Sequence, residues 1–143
     1  MTASLYTLRK EQTNIENEEL LSSKSSNQFA RKFFFEDLGI YESCFIILLN
    51  NAKKTIGYAK ISQGGICGTV VDPTLIAKYA IESLCKGVIL VHNHPSGSLE
   101  PSSNDDNLTK RIKECLKLFD IVLLDHLILT EESYYSYADK RQI

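Results

Sequence analysis

Two histidines separated by one residue are the most informative feature of this sequence. His92 and His94 follow the apolar run 87–91, and a polar segment leads from them to Asp105. In an extended chain, residues i and i+2 point to the same side, so both imidazoles can face one point just past a strand. Two neutral imidazoles and a carboxylate leave a fourth position on Zn²⁺ open for water, which is typical of catalytic zinc. The spacing therefore predicts a mononuclear zinc site built from His92, His94 and Asp105.

Asp105 lies near the predicted start of a helix, and its position allows two interpretations. It precedes Leu108 by three residues and Ile112 by seven, which places it on the same helix face as those apolar side chains. A carboxylate on an inward face needs a partner, and a metal ion would supply one. Ser102 and Asp105 also have the spacing of a capping box, which is the better explanation when taken alone. Their contiguity with the strand and the H-x-H-P sequence favours the metal ligand.

The segment 92–109, HNHPSGSLEPSSNDDNLT, resembles the H-x-H-P-x₆-S-x₂-D signature of JAMM (JAB/MPN) metalloproteins, in the form found in RadC-like proteins. The later segments LLDHLILT and YYSYAD resemble the C-terminal end of the same family, so the resemblance extends over residues 40–140. It implies a JAB/MPN fold of the cytidine-deaminase-like architecture. Full-length RadC-like proteins also carry an N-terminal helix-hairpin-helix DNA-binding region. A chain of 143 residues leaves no room for that region, so we expect the JAB domain alone.

The resemblance implies a role for each matching residue. His92, His94 and Asp105 fall on the three zinc ligands of the family. Ser102 falls on the serine that helps hold the developing oxyanion by a hydrogen bond. Glu42, directly before an apolar run, resembles the upstream glutamate, which takes a proton from water and passes it to the leaving amine.

Several of these assignments have alternatives. Glu36 is a second candidate for the upstream glutamate, and Glu42 is otherwise a solvated charge at a strand end. Thr109 follows Asp105 by one helical turn, where it is either a hydrogen-bonding partner of that ligand or an ordinary buried threonine. His126 lies in an apolar segment, where a histidine is more often packed in the core than bound to a metal.

The elements that must position these residues are predicted from the apolar pattern. The run 44–50 and the segment 55–61 form a hairpin, and the run 87–91 is a further buried strand. Asp72 and Pro73 are residue types expected at the N-cap and the first position of a helix. Strands interleaved with helices predict a single-domain α/β fold, and the hairpin makes its β-sheet mixed, with helices flanking it. We also predict strands at 4–9, at 121–130, at 133–137 and ending at Val71, and helices at 27–38 and 104–119.

The length and composition fit one cytoplasmic domain. We divide the 143 residues into a polar N-terminal strand and connector, 1–25, and one domain, 26–143. No apolar run is long enough to cross a bilayer, and the first residues lack the basic-then-apolar layout of a signal peptide, so we expect a cytoplasmic protein. The four cysteines form no C-x-x-C pair, which favours reduced thiols over a disulfide framework. The net charge of −2 and the short basic clusters argue against stand-alone nucleic-acid binding.

These features lead to one main functional hypothesis and two alternatives. The main hypothesis is zinc-dependent hydrolysis of an amide or isopeptide bond in a peptide or protein substrate. The first alternative is a RadC-like accessory module associated with DNA repair that has no peptidase activity of its own. The second is an interaction scaffold with a vestigial site. A zinc nucleobase deaminase is excluded because neither H-x-E nor P-C-x-x-C occurs in the sequence.

Overall fold

A computed structural model describes residues 1–34, 38–64 and 70–143. No helix in this part of the chain is long and apolar enough to span a bilayer. The elements, in chain order, are α1 (Ser23–Phe34), β1 (Ser43–Leu49), β2 (Thr55–Gln63), α2 (Pro73–Glu82), β3 (Gly87–Asn93), α3 (Ser103–Lys117), β4 (Val122–Leu129) and β5 (Tyr134–Ser136).

The five strands form one mixed sheet in the order β2-β1-β3-β4-β5. Strands β3 and β4 are parallel, and the other neighbouring pairs are antiparallel. The predicted α/β fold with a mixed sheet is therefore confirmed. In the β1–β3 register Cys44 lies opposite His92, so the end of β3 lies beside the start of β1.

Both faces of the sheet are covered by helices, which explains why its central strands are apolar without alternation. All seven residues of β1 and all seven of β3 are buried. Helices α2 and α3 cover one face, where Ile112 and Leu116 pack with Val88 and Leu90. Helix α1 covers the other face, where Phe29 and Phe34 pack with Ile47, Val91, Leu127 and Leu129.

The structure corrects two predicted elements. Residues 4–9 do not form a strand, because they pair with no strand in the part of the chain that the structure describes, and Leu5 is 90% exposed. Helix α1 begins at Ser23, four residues earlier than predicted, since the Ser22 hydroxyl accepts a hydrogen bond from the Ser25 N–H at 3.1 Å and caps the first turn. The predicted strand before Val71 falls largely on residues outside the described ranges.

Candidate metal centre

The paired histidines lie where β3 ends in the middle of the sheet. His92 is 4% exposed and belongs to β3, while His94 is one residue beyond it. The backbone N–H of His94 donates to the Leu129 carbonyl at 2.9 Å, which ties the chain to β4 after the strand ends. The two Nε2 atoms are 3.0 Å apart, so both imidazoles face one point, as the i, i+2 spacing predicts.

Asp105, in the first turn of α3, faces the same point. Its Oδ1 lies 3.3 Å from Nε2 of His92, and its Oδ2 lies 3.4 Å from Nε2 of His94. The capping box is also present: Oδ2 accepts from the Ser102 N–H at 2.8 Å, and the Ser102 hydroxyl accepts from the Asp105 N–H at 3.1 Å. The two interpretations of Asp105 are thus compatible, because the capping bond aims the carboxylate toward the imidazoles.

The Asp105 carboxylate and the His94 imidazole shift each other's pKa. Burial opposes ionisation of Asp105, but the neighbouring imidazoles of His92 and His94 outweigh burial and hold the pKa of that carboxyl well below its usual range. The hydrogen bond to Asp105 is the main reason why the pKa of His94 is raised. Asp105 is therefore a carboxylate near neutral pH, as a metal ligand must be.

The donor groups of His92, His94 and Asp105 are spaced for a tetrahedral zinc ion. Bonds of 2.0–2.1 Å to a tetrahedral zinc require donor atoms about 3.3–3.4 Å apart. The two imidazole nitrogens are 3.0 Å apart, Oδ1 of Asp105 lies 3.3 Å from the His92 nitrogen, and Oδ2 lies 3.4 Å from the His94 nitrogen. The His94 Nδ1–H donates to the Ser98 carbonyl at 2.8 Å, which leaves the Nε2 lone pair on the side of the site. Two imidazoles and one carboxylate leave one vertex for water or substrate.

Glu42 lies beside the two imidazoles, just before β1. One carboxylate oxygen of Glu42 and one nitrogen each of His92 and His94 all lie within 4.8 Å of one another. The Glu42 carbonyl accepts from the Gly64 N–H at 2.8 Å, which ties its backbone to the end of β2. Glu42 is half-buried at the edge of the cluster formed by the side chains of His92, His94 and Asp105. The alternative glutamate, Glu36, lies outside the described residues.

Ser102 lies next to Asp105 at the N-cap of α3 and is exposed. Because its hydroxyl accepts the capping bond from the Asp105 N–H, the hydroxyl keeps a proton that it can donate.

Two buried side chains support the site in ways that the sequence did not reveal. His126 is fully buried on β4 and lies 2.7 Å from Nδ1 of His92, so all three histidines of the chain meet in one cluster. Thr109 does not bond to the Asp105 carboxylate; its hydroxyl donates to the Asp105 carbonyl at 2.8 Å and lies 2.6 Å from Nδ1 of His126. Leu127 and Leu129 face α1, so strand alternation places His126 on the opposite face, toward α3. This alternation is the sequence signal that could have indicated the contact between His126 and Thr109.

Asn93, between the two histidines, fixes the loop that carries Glu42. It is fully buried, and strand alternation directs it to the sheet face opposite His92. Its Oδ1 accepts from the Ser43 N–H at 2.7 Å, and its Nδ2 donates to the carbonyls of Leu38 and Tyr41 at 3.0 and 2.7 Å. Asn93 thereby connects β3 directly to both sides of Glu42.

Comparison with known proteins places this chain in a family. The family model of the RadC-like JAB domain matches residues 20–142. A UPF0758 protein of Flavobacterium johnsoniae is 47% identical over 100 residues, which are 70% of this chain and 44% of that protein. UPF0758 proteins of Streptococcus sanguinis and Streptococcus gordonii are 39% and 37% identical; the matches cover 80% and 91% of this chain and 51% and 57% of those proteins. The chain thus spans about half the length of the curated relatives it matches.

Proposed function

Because the chain belongs to the RadC-like JAB domain family, we propose that it is a JAMM-type zinc metallohydrolase that cleaves an amide or isopeptide bond. The observation that carries the proposal is the convergence of His92, His94 and Asp105 at 3.0–3.4 Å, with Glu42 beside them. The first three residues would hold the ion. The substrate is a peptide or protein, and the proposed location is the cytoplasm.

The residues around the donor cluster have complementary tasks. A bound zinc ion would polarise the scissile carbonyl and lower the pKa of a water molecule to about 7. Glu42 accepts a proton from that water on its carboxylate and delivers it to the leaving amine. The Ser102 hydroxyl donates a hydrogen bond to the oxyanion that develops on the carbonyl oxygen. Overall, the water hydroxyl joins the carbonyl carbon, and the amine nitrogen leaves with the proton.

The experiment begins with metal content. The purified chain should hold about one zinc ion, and His94→Ala and Asp105→Ala should each lose it while remaining folded by circular dichroism. A well-folded wild-type chain that takes up no added zinc would overturn the proposal and favour the accessory-module or scaffold alternatives.

Hydrolysis is then measured without knowledge of the substrate. A mixture of peptides and isopeptides is incubated with the zinc-loaded chain in ¹⁸O-water, and new carboxyl termini that contain ¹⁸O are identified by mass spectrometry. Glu42→Gln should retain zinc and lose this incorporation, because it keeps the shape of Glu42 but cannot accept the proton. Glu114→Gln, at an exposed position on α3, is the matched control and should behave as wild type. Equal incorporation by wild type and Glu42→Gln would exclude the assigned role of Glu42.

A further inference from the structure

A continuous series of short hydrogen bonds leads from His92 through the protein interior to α3. Nδ1 of His92 lies 2.7 Å from Nε2 of His126, and Nδ1 of His126 lies 2.6 Å from Oγ1 of Thr109. The Thr109 hydroxyl lies 2.8 Å from the Asp105 carbonyl. The series therefore begins at the ring of one proposed zinc ligand and ends at the backbone of another.

The direction of each bond follows from its last member. The Asp105 carbonyl can only accept, so the Thr109 hydroxyl donates its single proton to it. Thr109 must then accept from Nδ1–H of His126. His126 is fully buried, and the side chains against its ring, His92, Thr109 and Tyr137, carry no negative charge, so the ring is neutral and has no proton left for Nε2. That Nε2 accepts from Nδ1–H of His92.

Packing keeps the His126 ring in the plane that this series requires. The Tyr137 ring stacks on the His126 ring with centroids 4.7 Å apart and an interplanar angle of 5°. The Tyr137 hydroxyl donates to the Asp106 carboxylate at 2.7 Å, which anchors the stacked ring to α3. A flip of His126 would break the bonds to both His92 and Thr109.

We propose that Thr109 and His126 are positioning residues that hold His92 in the tautomer whose Nε2 lone pair faces the metal site. The proposal rests on the proposed function, because it assigns Nε2 of His92 to the ion. Partners of this kind on a ligating histidine are worth about 10- to 100-fold in metal affinity. Thr109 and His126 act without touching the ion, and they link β3, β4 and α3 at one point.

The first test measures zinc affinity by competition with a chromophoric chelator. Thr109→Val removes the hydroxyl at nearly constant volume and should weaken zinc binding about 10- to 100-fold. Thr109→Ser keeps the hydroxyl and should stay within about threefold of wild type. Thr55→Val is the matched control, since Thr55 is fully buried and hydrogen-bonded at the opposite end of the sheet. A Thr109→Val variant with wild-type affinity, or an equal loss in Thr55→Val, would overturn the proposal.

The second test needs no metal. In ¹⁵N NMR spectra of the metal-free chain, His92 and His126 should both carry their proton on Nδ1, and His126 should lose this preference in Thr109→Val. A wild-type His126 protonated on Nε2 would overturn the assigned direction. If the wild-type chain bound no zinc but had the expected tautomers, the hydrolase proposal would fail, whereas the assigned directions of the hydrogen bonds from His92 to Thr109 would be supported. Zinc binding with the opposite tautomers would overturn the directed bonds and leave the hydrolase proposal standing.

Discussion

Replacing Asn93 by alanine should loosen the loop that carries Glu42. The Asn93 side chain makes hydrogen bonds to Ser43, Leu38 and Tyr41 inside the protein. At about 0.5–1.5 kcal/mol for each of these three bonds, the free energy of unfolding should fall by about 1.5–4.5 kcal/mol. Chemical denaturation of the metal-free chain measures this loss directly.

The same substitution should separate turnover from metal affinity. The Asn93 backbone stays in the ladder with β4, so zinc affinity should remain within about threefold of wild type. Turnover should fall by about 100-fold, the cost of a misplacement of about 1 Å in a catalytic group. The zinc competition assay and the ¹⁸O incorporation assay give the two values.

Two further variants make the test of Asn93 specific. Asn93→Asp keeps the acceptor for the Ser43 N–H but turns an oxygen toward two carbonyls, so it should also destabilise the chain. Asn51→Ala, at an exposed position in the β1–β2 turn, should change the free energy of unfolding by less than about 0.5 kcal/mol. An Asn93→Ala variant as stable as wild type, or one that loses zinc affinity as strongly as turnover, would refute the reasoning.

Three other predictions concern the centre and its helix. Ser102→Ala removes the N-cap of α3, so the free energy of unfolding should fall by about 1 kcal/mol and turnover should fall about 100-fold. Asp72→Ala removes the N-cap of α2 and should lower only the free energy of unfolding. Equal turnover losses in the two variants would contradict the oxyanion role of Ser102. In metal-free protein the pKa of Asp105 is lower in the folded state than its value of 3.8 in the unfolded chain, so the ionised carboxylate stabilises the fold above pH 3.8, and this stability is lost as the pH falls. The free energy of urea unfolding should therefore depend less on acid pH in Asp105→Asn than in wild type. Zinc at 100 times its Kd should raise the free energy of unfolding by about 2.7 kcal/mol. A chelator should reverse this rise without changing the circular dichroism spectrum. A chain that unfolds when zinc is removed would contradict this prediction.

The sequence predicted the central strands and the donor cluster because both depend on local patterns. The runs that became β1 and β3 are continuously apolar, as strands covered on both faces must be. His92 and His94 are two residues apart on one strand, and Asp105 opens the next helix, so a short segment supplies all three donors. The extra strand at 4–9 was predicted wrongly because a strand also needs a partner, which no local pattern specifies.

The supporting residues depend on contacts between distant parts of the chain. His126 meets His92 only because β4 pairs with β3 in parallel, and a single apolar segment does not reveal that register. Asn93 stands between the two histidines in the sequence, yet its hydrogen-bonding partners lie 50 to 55 residues earlier. A buried polar side chain can be identified from alternation, but its partner requires the topology.

Each ligand of the proposed zinc site has a protein partner that orients it. His94 is oriented by the Ser98 carbonyl in the loop after β3, and Asp105 is oriented by the N-cap of α3. His92 is oriented by His126 on β4. These elements are held together by the buried core of the sheet and α3, which fixes the partners of the three donors relative to one another. Metal affinity here should therefore depend on the partners of each ligand, whereas in small zinc domains the binding free energy is largely folding free energy.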